Sequence, residues 1–279
     1  MLKDLLIPIT STAGDEDALA AGIALADALS ARLTVLAMAH LPLPLADPWG
    51  LAPNVALNEA YQRLRAQGEV NVARLKARLD SAEVSSDVQL VDALVRPPER
   101  VAAHRAHHAD LCIVPGPDSD AAAEVVQAYF GALLLESGRP VLMVPPGSRA
   151  VLPARRVVVA WRPAREAARA VHDAMDLLVR ADQVDVLAVN GEPGEAGNGP
   201  HVGDELAAHL ARHGATIKVV KREAGPRPVS AIVLEHARDV GAQMVVAGGY
   251  GHSRLREWAM GGVTRELLRA STVPVLFSH

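Results

Sequence analysis

The sequence predicts an α/β protein made of two tandem, doubly wound domains, each a five-stranded parallel sheet with helices on both faces. Three observations lead there. Short apolar runs such as Leu111-Cys112-Ile113-Val114 alternate with longer stretches that mix apolar and charged residues, which is the pattern of buried strands joined by crossover helices. The pattern restarts after Pro145-Pro146-Gly147-Ser148, and the two halves close alike, on Pro140-Val141-Leu142-Met143-Val144 and on Pro274-Val275-Leu276-Phe277. One domain is therefore placed over residues 1–147 and the other over 153–279. The length of 279 residues agrees, since a domain takes about 100–200 residues.

In the first half the opening strand is residues 5–9, ended by Thr10-Ser11-Thr12-Ala13-Gly14. Asp15, Glu16 and Asp17 then set negative charge on the first turn of a helix to about residue 31, where it complements the helix dipole. A second strand covers 33–38. Residues 41–53 are proline-rich and contain Trp49, a long excursion for a compact domain. A long helix is expected over 55–79 and a third strand over 88–91. Pro97-Pro98-Glu99 opens a helix to about residue 108. The fourth strand is 111–114, the next helix 121–137, stopped by Gly138-Arg139-Pro140, and the fifth strand 141–144.

The second half repeats this order. Strands are expected at 157–160, 184–189, 216–220, 244–247 and 273–277. Helices are expected at 164–181, 202–213, 229–240 and 262–270, with a glycine-rich loop over 191–199.

Composition narrows the function. Half of the residues are apolar and 22% charged, enough to bury two cores. Aromatics are 3% and the net charge is −4, which argues against base-stacking single-strand binders and against an electrostatic nucleic-acid partner. No apolar run reaches the length of a membrane span. The start, Met1-Leu2-Lys3-Asp4, shows no long apolar stretch before a small-residue cleavage site, so the expectation is a cytoplasmic protein. Cys112, the single cysteine, is read as a small buried hydrophobe.

The stretch that carries chemistry is Met244-Val245-Val246-Ala247, then Gly248-Gly249-Tyr250-Gly251, nine residues, and Gly261-Gly262-Val263-Thr264. Physically this is strand, glycine turn, loop and helix start. Gly248 and Gly251 are able to take φ > 0 and let amides approach an anion. The helix start adds unpaired N–H groups and the positive dipole end. Neither the P-loop nor a well-placed dinucleotide fingerprint is present.

Gly248-x-x-Gly251, nine residues, then Gly261 resembles the nucleotide-binding signature of the universal stress protein family, Gly-x-x-Gly-x9-Gly-(Ser/Thr). Val263-Thr264 and Pro274-Val275-Leu276 are similar to that family as well. The resemblance implies Rossmann-like domains of strand order 3-2-1-4-5, an adenine nucleotide (ATP, ADP or AMP) as ligand, with Mg unassigned, and a role in stress response as sensor or regulator. It also implies pairing of domains through their last strands, here 141–144 with 275–277. That makes a pseudo-dimer within one chain, and a homodimer of chains remains open.

In such a sheet the crevice opens between the first and fourth strands. The phosphate would rest on Gly248, Gly251, His252 and Gly261 to Thr264, with Ala160, Trp161 and Arg162 on the opposite wall and Val189 near the base. Two positions depart from the family pattern. Gly262 stands where ATP binders carry Ser or Thr, and Arg162 where they carry Asp. Arg162 is able to meet a phosphate by a charge-assisted bond, which favours AMP, ADP or another anion over Mg-ATP. Thr264 either bonds phosphate or caps the helix, and Trp161 is either core or base platform. Arg254, Arg256 and Arg265 are read as solvated.

The first half has Pro115-Gly116-Pro117-Asp118-Ser119-Asp120 in place of the glycine turn. Two prolines remove donors and two aspartates repel phosphate, so this half is expected not to bind nucleotide. Gly131-Ala132 is read as a remnant of helix-start glycines. His104, His107 and His108 are taken as a solvated surface, because no carboxylate or cysteine completes a metal motif. No serine has a nucleophile context. No catalytic residue or metal ligand is assigned; ATP hydrolysis, if any, should be slow. The alternative is an interaction module of the same fold without nucleotide. An adenylating enzyme is disfavoured, because its Ser-Gly-Gly-x-Asp-Ser loop is absent.

Overall fold

Runs of β-branched and aliphatic residues become the strands of one sheet, and every expected strand forms. The computed structural model describes residues 1–40, 54–93, 96–148, 151–189, 203–250 and 262–279. In the first half these are β1 (Asp4–Pro8), α1 (Asp15–Leu29), β2 (Arg32–His40), α2 (Asn54–Asp80), β3 (Ser86–Ala93), α3 (Pro98–Ala106), β4 (Leu111–Pro115), α4 (Asp120–Glu136) and β5 (Val141–Val144). The second half contains β6 (Arg156–Trp161), α5 (Arg165–Asp173), α6 (Met175–Leu178), β7 (Gln183–Val189), α7 (Asp204–Arg212), β8 (Ile217–Arg222), α8 (Val229–Asp239), β9 (Met244–Gly248), α9 (Gly262–Ala270) and β10 (Val275–Ser278).

The order across the sheet is β3-β2-β1-β4-β5-β10-β9-β6-β7-β8. Each half thus has the order 3-2-1-4-5, and all pairings within a half are parallel. The halves meet where β5 and β10 pair antiparallel, with Val141 opposite Phe277, Leu142 opposite Leu276 and Met143 opposite Val275.

Strand alternation sends side chains to two cores. Leu5 and Ile7 join α1, α2, α5, α6 and α7 on one face, through Leu19, Leu75, Val171, Leu177 and Leu210. Leu6 joins α3, α4, α8 and α9 on the other, through Ala103, Phe130, Val233 and Leu267. Helices on both faces cover a parallel sheet whose strands read as continuous apolar runs.

Some boundaries differ from the sequence expectation. The first helix ends at Leu29, because Ser30 turns left-handed at φ 48° and its N–H caps Ala26 and Asp27. The helix expected over 164–181 breaks at Ala174, whose ψ of −2° leaves the α range and separates α5 from α6. Gly131 is no helix start. It lies inside α4, which begins at Asp120 because Ser119 caps it by accepting the Ala122 N–H.

Cys112 is fully buried, and that burial pushes its thiol up to about 12. The thiolate is the reactive form, so the native protein should resist a thiol reagent at pH 8 and react only once unfolded. Rapid stoichiometric labelling of the native chain would contradict this packing.

Candidate functional site

β6 and β9 lie side by side, Ala160 opposite Ala247. The helices that follow them, α5 and α9, pack on opposite faces of the sheet. Their carboxyl ends therefore flank a crevice at the switch point.

The amino-terminal turn of α5 sits hard against Gly248. A Cβ on Gly248 would lie 2.7 Å from Glu166 Cγ and 2.8 Å from the Ala167 backbone nitrogen. Close packing, then, accounts for this glycine; Gly248 is not among the residues with positive φ, contrary to the reading that it turns left-handed. Tyr250 makes that turn instead, at φ 55°.

The amides that follow are already used by the protein. Gly249 N–H donates to Ser278 O at 2.8 Å, and Tyr250 N–H points to Thr264 Oγ1 at 3.5 Å. Thr264 lies inside α9, past its cap position, which corrects the reading that it caps the helix. The residue is buried at the third position of α9, and its hydroxyl reaches back to the glycine turn. Gly262 and Val263 are exposed, and among the described residues nothing stands within 4 Å of a Cβ built on Gly262.

The turn also leans on the first half. A Cβ on Gly249 would meet Leu134 of α4 at 2.7 Å, and one on Gly131 would lie 3.7 Å from the Tyr250 hydroxyl. His279 packs edge-on to Tyr250 at 6.2 Å and places Nδ1 3.2 Å from Gly249 O.

On the opposite wall Ala160 is half-buried towards α8 and α9, and Trp161 is half-buried towards the other core. Val189, at the end of β7, is half-buried on the same side as Ala160. Arg162 does not stand as a lone cation over the crevice, because its guanidinium is hydrogen-bonded to Glu166. Burial by itself would raise the Glu166 carboxyl. The residue's own backbone N–H and Arg162 outweigh it and hold the carboxyl below its ordinary range. The expected phosphate contact is thus partly neutralised by a carboxylate four residues on. Gly251, His252 and Gly261, with Arg254 and Arg256, lie outside the described residues.

In the first half hydrogen bonds tie the start of α1 to the end of β1. The Asp15 carboxylate accepts from Thr10 N–H at 3.0 Å, Thr10 Oγ1 at 2.8 Å and Ser11 N–H at 2.8 Å. Burial raises its carboxyl, and these hydrogen bonds pull the other way. A Cβ on Gly14 would lie 2.7 Å from Pro115 Cβ, so the start of α1 closes on the end of β4. Gly116 N–H is committed to Val144 O at 2.6 Å.

Sequence reasoning missed one buried polar pair. His236 Nε2 on α8 lies 2.9 Å from Asp185 Oδ2 on β7, and the two side chains are 4% and 5% exposed. His236 Nδ1 has no hydrogen-bond partner among the described residues. His236 also borders a cavity of about 220 Å³ between β8 and α8, which Arg222, Arg227 and Ile232 line as well. A lone acid inside Val184-Asp185-Val186 was the available signal, since buried charges are retained where they find partners.

Among the described residues no group of three or more His, Cys, Asp or Glu is placed to hold a metal ion, and no helix is long and apolar enough to cross a membrane.

Residues 153–279 match the model of the universal stress protein family. No curated protein matches the chain in sequence. Among solved structures the chain is similar to a universal stress protein from Archaeoglobus fulgidus DSM 4304, at TM-score 0.70 and 15% identity, covering 99% of this chain and 96% of that one. It is also similar to a putative universal stress protein from Pseudomonas aeruginosa UCBPP-PA14, at TM-score 0.57 and 16% identity over 99% and 93%. A third likeness is to a protein of unknown function from Pseudomonas aeruginosa PAO1, at TM-score 0.56 and 16% identity over 99% and 92%. Residues 153–279 therefore form a domain of the universal stress protein family, and the first half of the chain repeats its strand order.

Proposed function

We propose that the second half binds an adenine nucleotide and that the protein acts in stress response as a cytoplasmic sensor or regulator, not as an enzyme. The observation that carries this reading is the place of the glycine signature. Gly248 ends β9 and Gly262 opens α9, so the Gly-x-x-Gly-x9-Gly signature runs from the end of a strand beside the switch point to the start of the helix that follows it. The first turn of α9 offers main-chain donors to a phosphate. Gly251, His252 and Gly261 complete the cradle, with the base between Ala160 and Val189. Arg162 shares its charge with Glu166, which favours a ligand of low charge such as AMP over Mg-ATP. Any hydrolysis is slow, because the Glu166 carboxylate beside Gly248 is engaged by Arg162 and is not free to act as a general base towards water.

The domains proposed are residues 1–147 and 153–279. The first carries no nucleotide, its crevice being closed by Asp15, Thr10 and Pro115. The halves act as the two members of a dimer through β5 and β10.

Thermal unfolding with AMP, ADP and ATP, with and without Mg²⁺, tests the reading. At a hundred times Kd a ligand adds about 2.7 kcal/mol to stability, and Gly261→Val should abolish the shift. Absence of any shift with all three nucleotides would overturn it. In that case a second reading stands, an interaction module without nucleotide. The amides of Gly249 and Tyr250, already turned to protein acceptors, favour that one.

A further inference from the structure

The last turn of α7 carries a feature that the proposed function does not use. His209 and His213 are four residues apart, so one helical turn stacks them on the same face, and both are exposed. Their ring centres are 4.7 Å apart and the planes meet at 64°. Two imidazoles bound side by side to one ion through bonds of about 2.0–2.1 Å bring their ring centres to roughly 4.5–5 Å. The two rings meet edge to face at a centre spacing inside that range. His213 is the C-cap of α7, and Gly214, at φ 94°, ends the helix there. The negative pole of the helix dipole lies at this end and favours a cation.

We propose that His209 and His213 form a two-imidazole site for a divalent transition-metal ion, water holding the remaining positions. The ligand set selects the ion. Imidazole nitrogen suits Cu²⁺, Ni²⁺ and Zn²⁺, with Cu²⁺ tightest, whereas Mg²⁺ and Ca²⁺ take oxygen ligands. Ion binding clamps the end of α7 without touching the glycine turn, so the site stands or falls independently of nucleotide binding.

Calorimetric titration of the full chain with Cu²⁺, and separately with Mg²⁺, tests this in the wild type, His209→Ala and His213→Ala. Both positions are exposed, so metal-free melting should be the same in all three. Losing one imidazole of a chelating pair weakens binding by about a hundredfold, and each variant should show that loss. The copper spectrum should report two nitrogens in the wild type and one in either variant. Cu²⁺ affinity unchanged in either variant would overturn the shared site, as would wild-type binding of Mg²⁺ as tight as that of Cu²⁺.

Discussion

Phe277→Ala is expected to lower stability by about 3–5 kcal/mol, the range for deleting a buried aromatic side chain. Phe277 is fully buried on β10, the strand that joins the halves, and opposes Val141 of β5. Its ring meets Phe130 of α4 edge-to-face, with centres 5.1 Å apart and planes at 81°. Phe130 belongs to the first half and Phe277 to the second, so the pair ties the two together. A double-mutant cycle with Phe130→Ala should return a coupling of about 0.5–1.5 kcal/mol beyond area burial. Denaturant unfolding of the two single variants and the double variant measures both quantities. A coupling of zero, or a Phe277→Ala loss below 1 kcal/mol, would mean that the halves do not interlock through this pair.

Asp185→Ala comes second, with an expected loss of about 3 kcal/mol. The substitution leaves His236 Nε2 without its partner while Nδ1 already has none among the described residues. An unsatisfied buried polar group costs about 1–3 kcal/mol, and the substitution adds a second one to the unpaired Nδ1. Asp185→Asn, which keeps an acceptor oxygen, should recover part of the loss. Replacing both residues, as Asp185→Leu with His236→Leu, should be far milder than Asp185→Ala, because no orphaned group remains. Were Asp185→Ala to cost no more than a surface change, about 0.5 kcal/mol, the pair would have no structural weight.

The sheet was legible because each strand is a run whose burial needs no knowledge of its neighbours. Val141–Val144 and Leu111–Pro115 are buried along their whole length, and such runs between helical stretches have few other solutions. The order of strands and the pairing of residues 141–144 with 275–277 came from the resemblance to the universal stress protein family, and the pairing also obeys the rule that a lone edge seeks a partner. The site was harder to read, because its electrostatics depend on which way side chains turn. Arg162 looked like a cation facing a crevice, yet Glu166 lies four residues on, a spacing at which opposite charges meet. Gly248 looked like a flexible turn, but the first turn of α5 leaves room for nothing larger. Neither Glu166 nor Ala167 is near Gly248 in sequence, so only the folded chain reveals the reason. Asp15 was read as a helix-start charge and does stand in the first turn of α1, where its carboxylate also folds back, buried, onto Thr10 and Ser11.

The antiparallel seam between β5 and β10 has an evolutionary consequence. Where two identical chains associate, every substitution arrives in both partners at once, and a change tolerable in one site must be tolerable in its mirror. A covalent repeat lifts that constraint, for each site then mutates alone. The hydrogen-bonded Thr10–Asp15 corner after β1 and the close-packed glycine turn after β9 show how far the two repeats have taken separate courses.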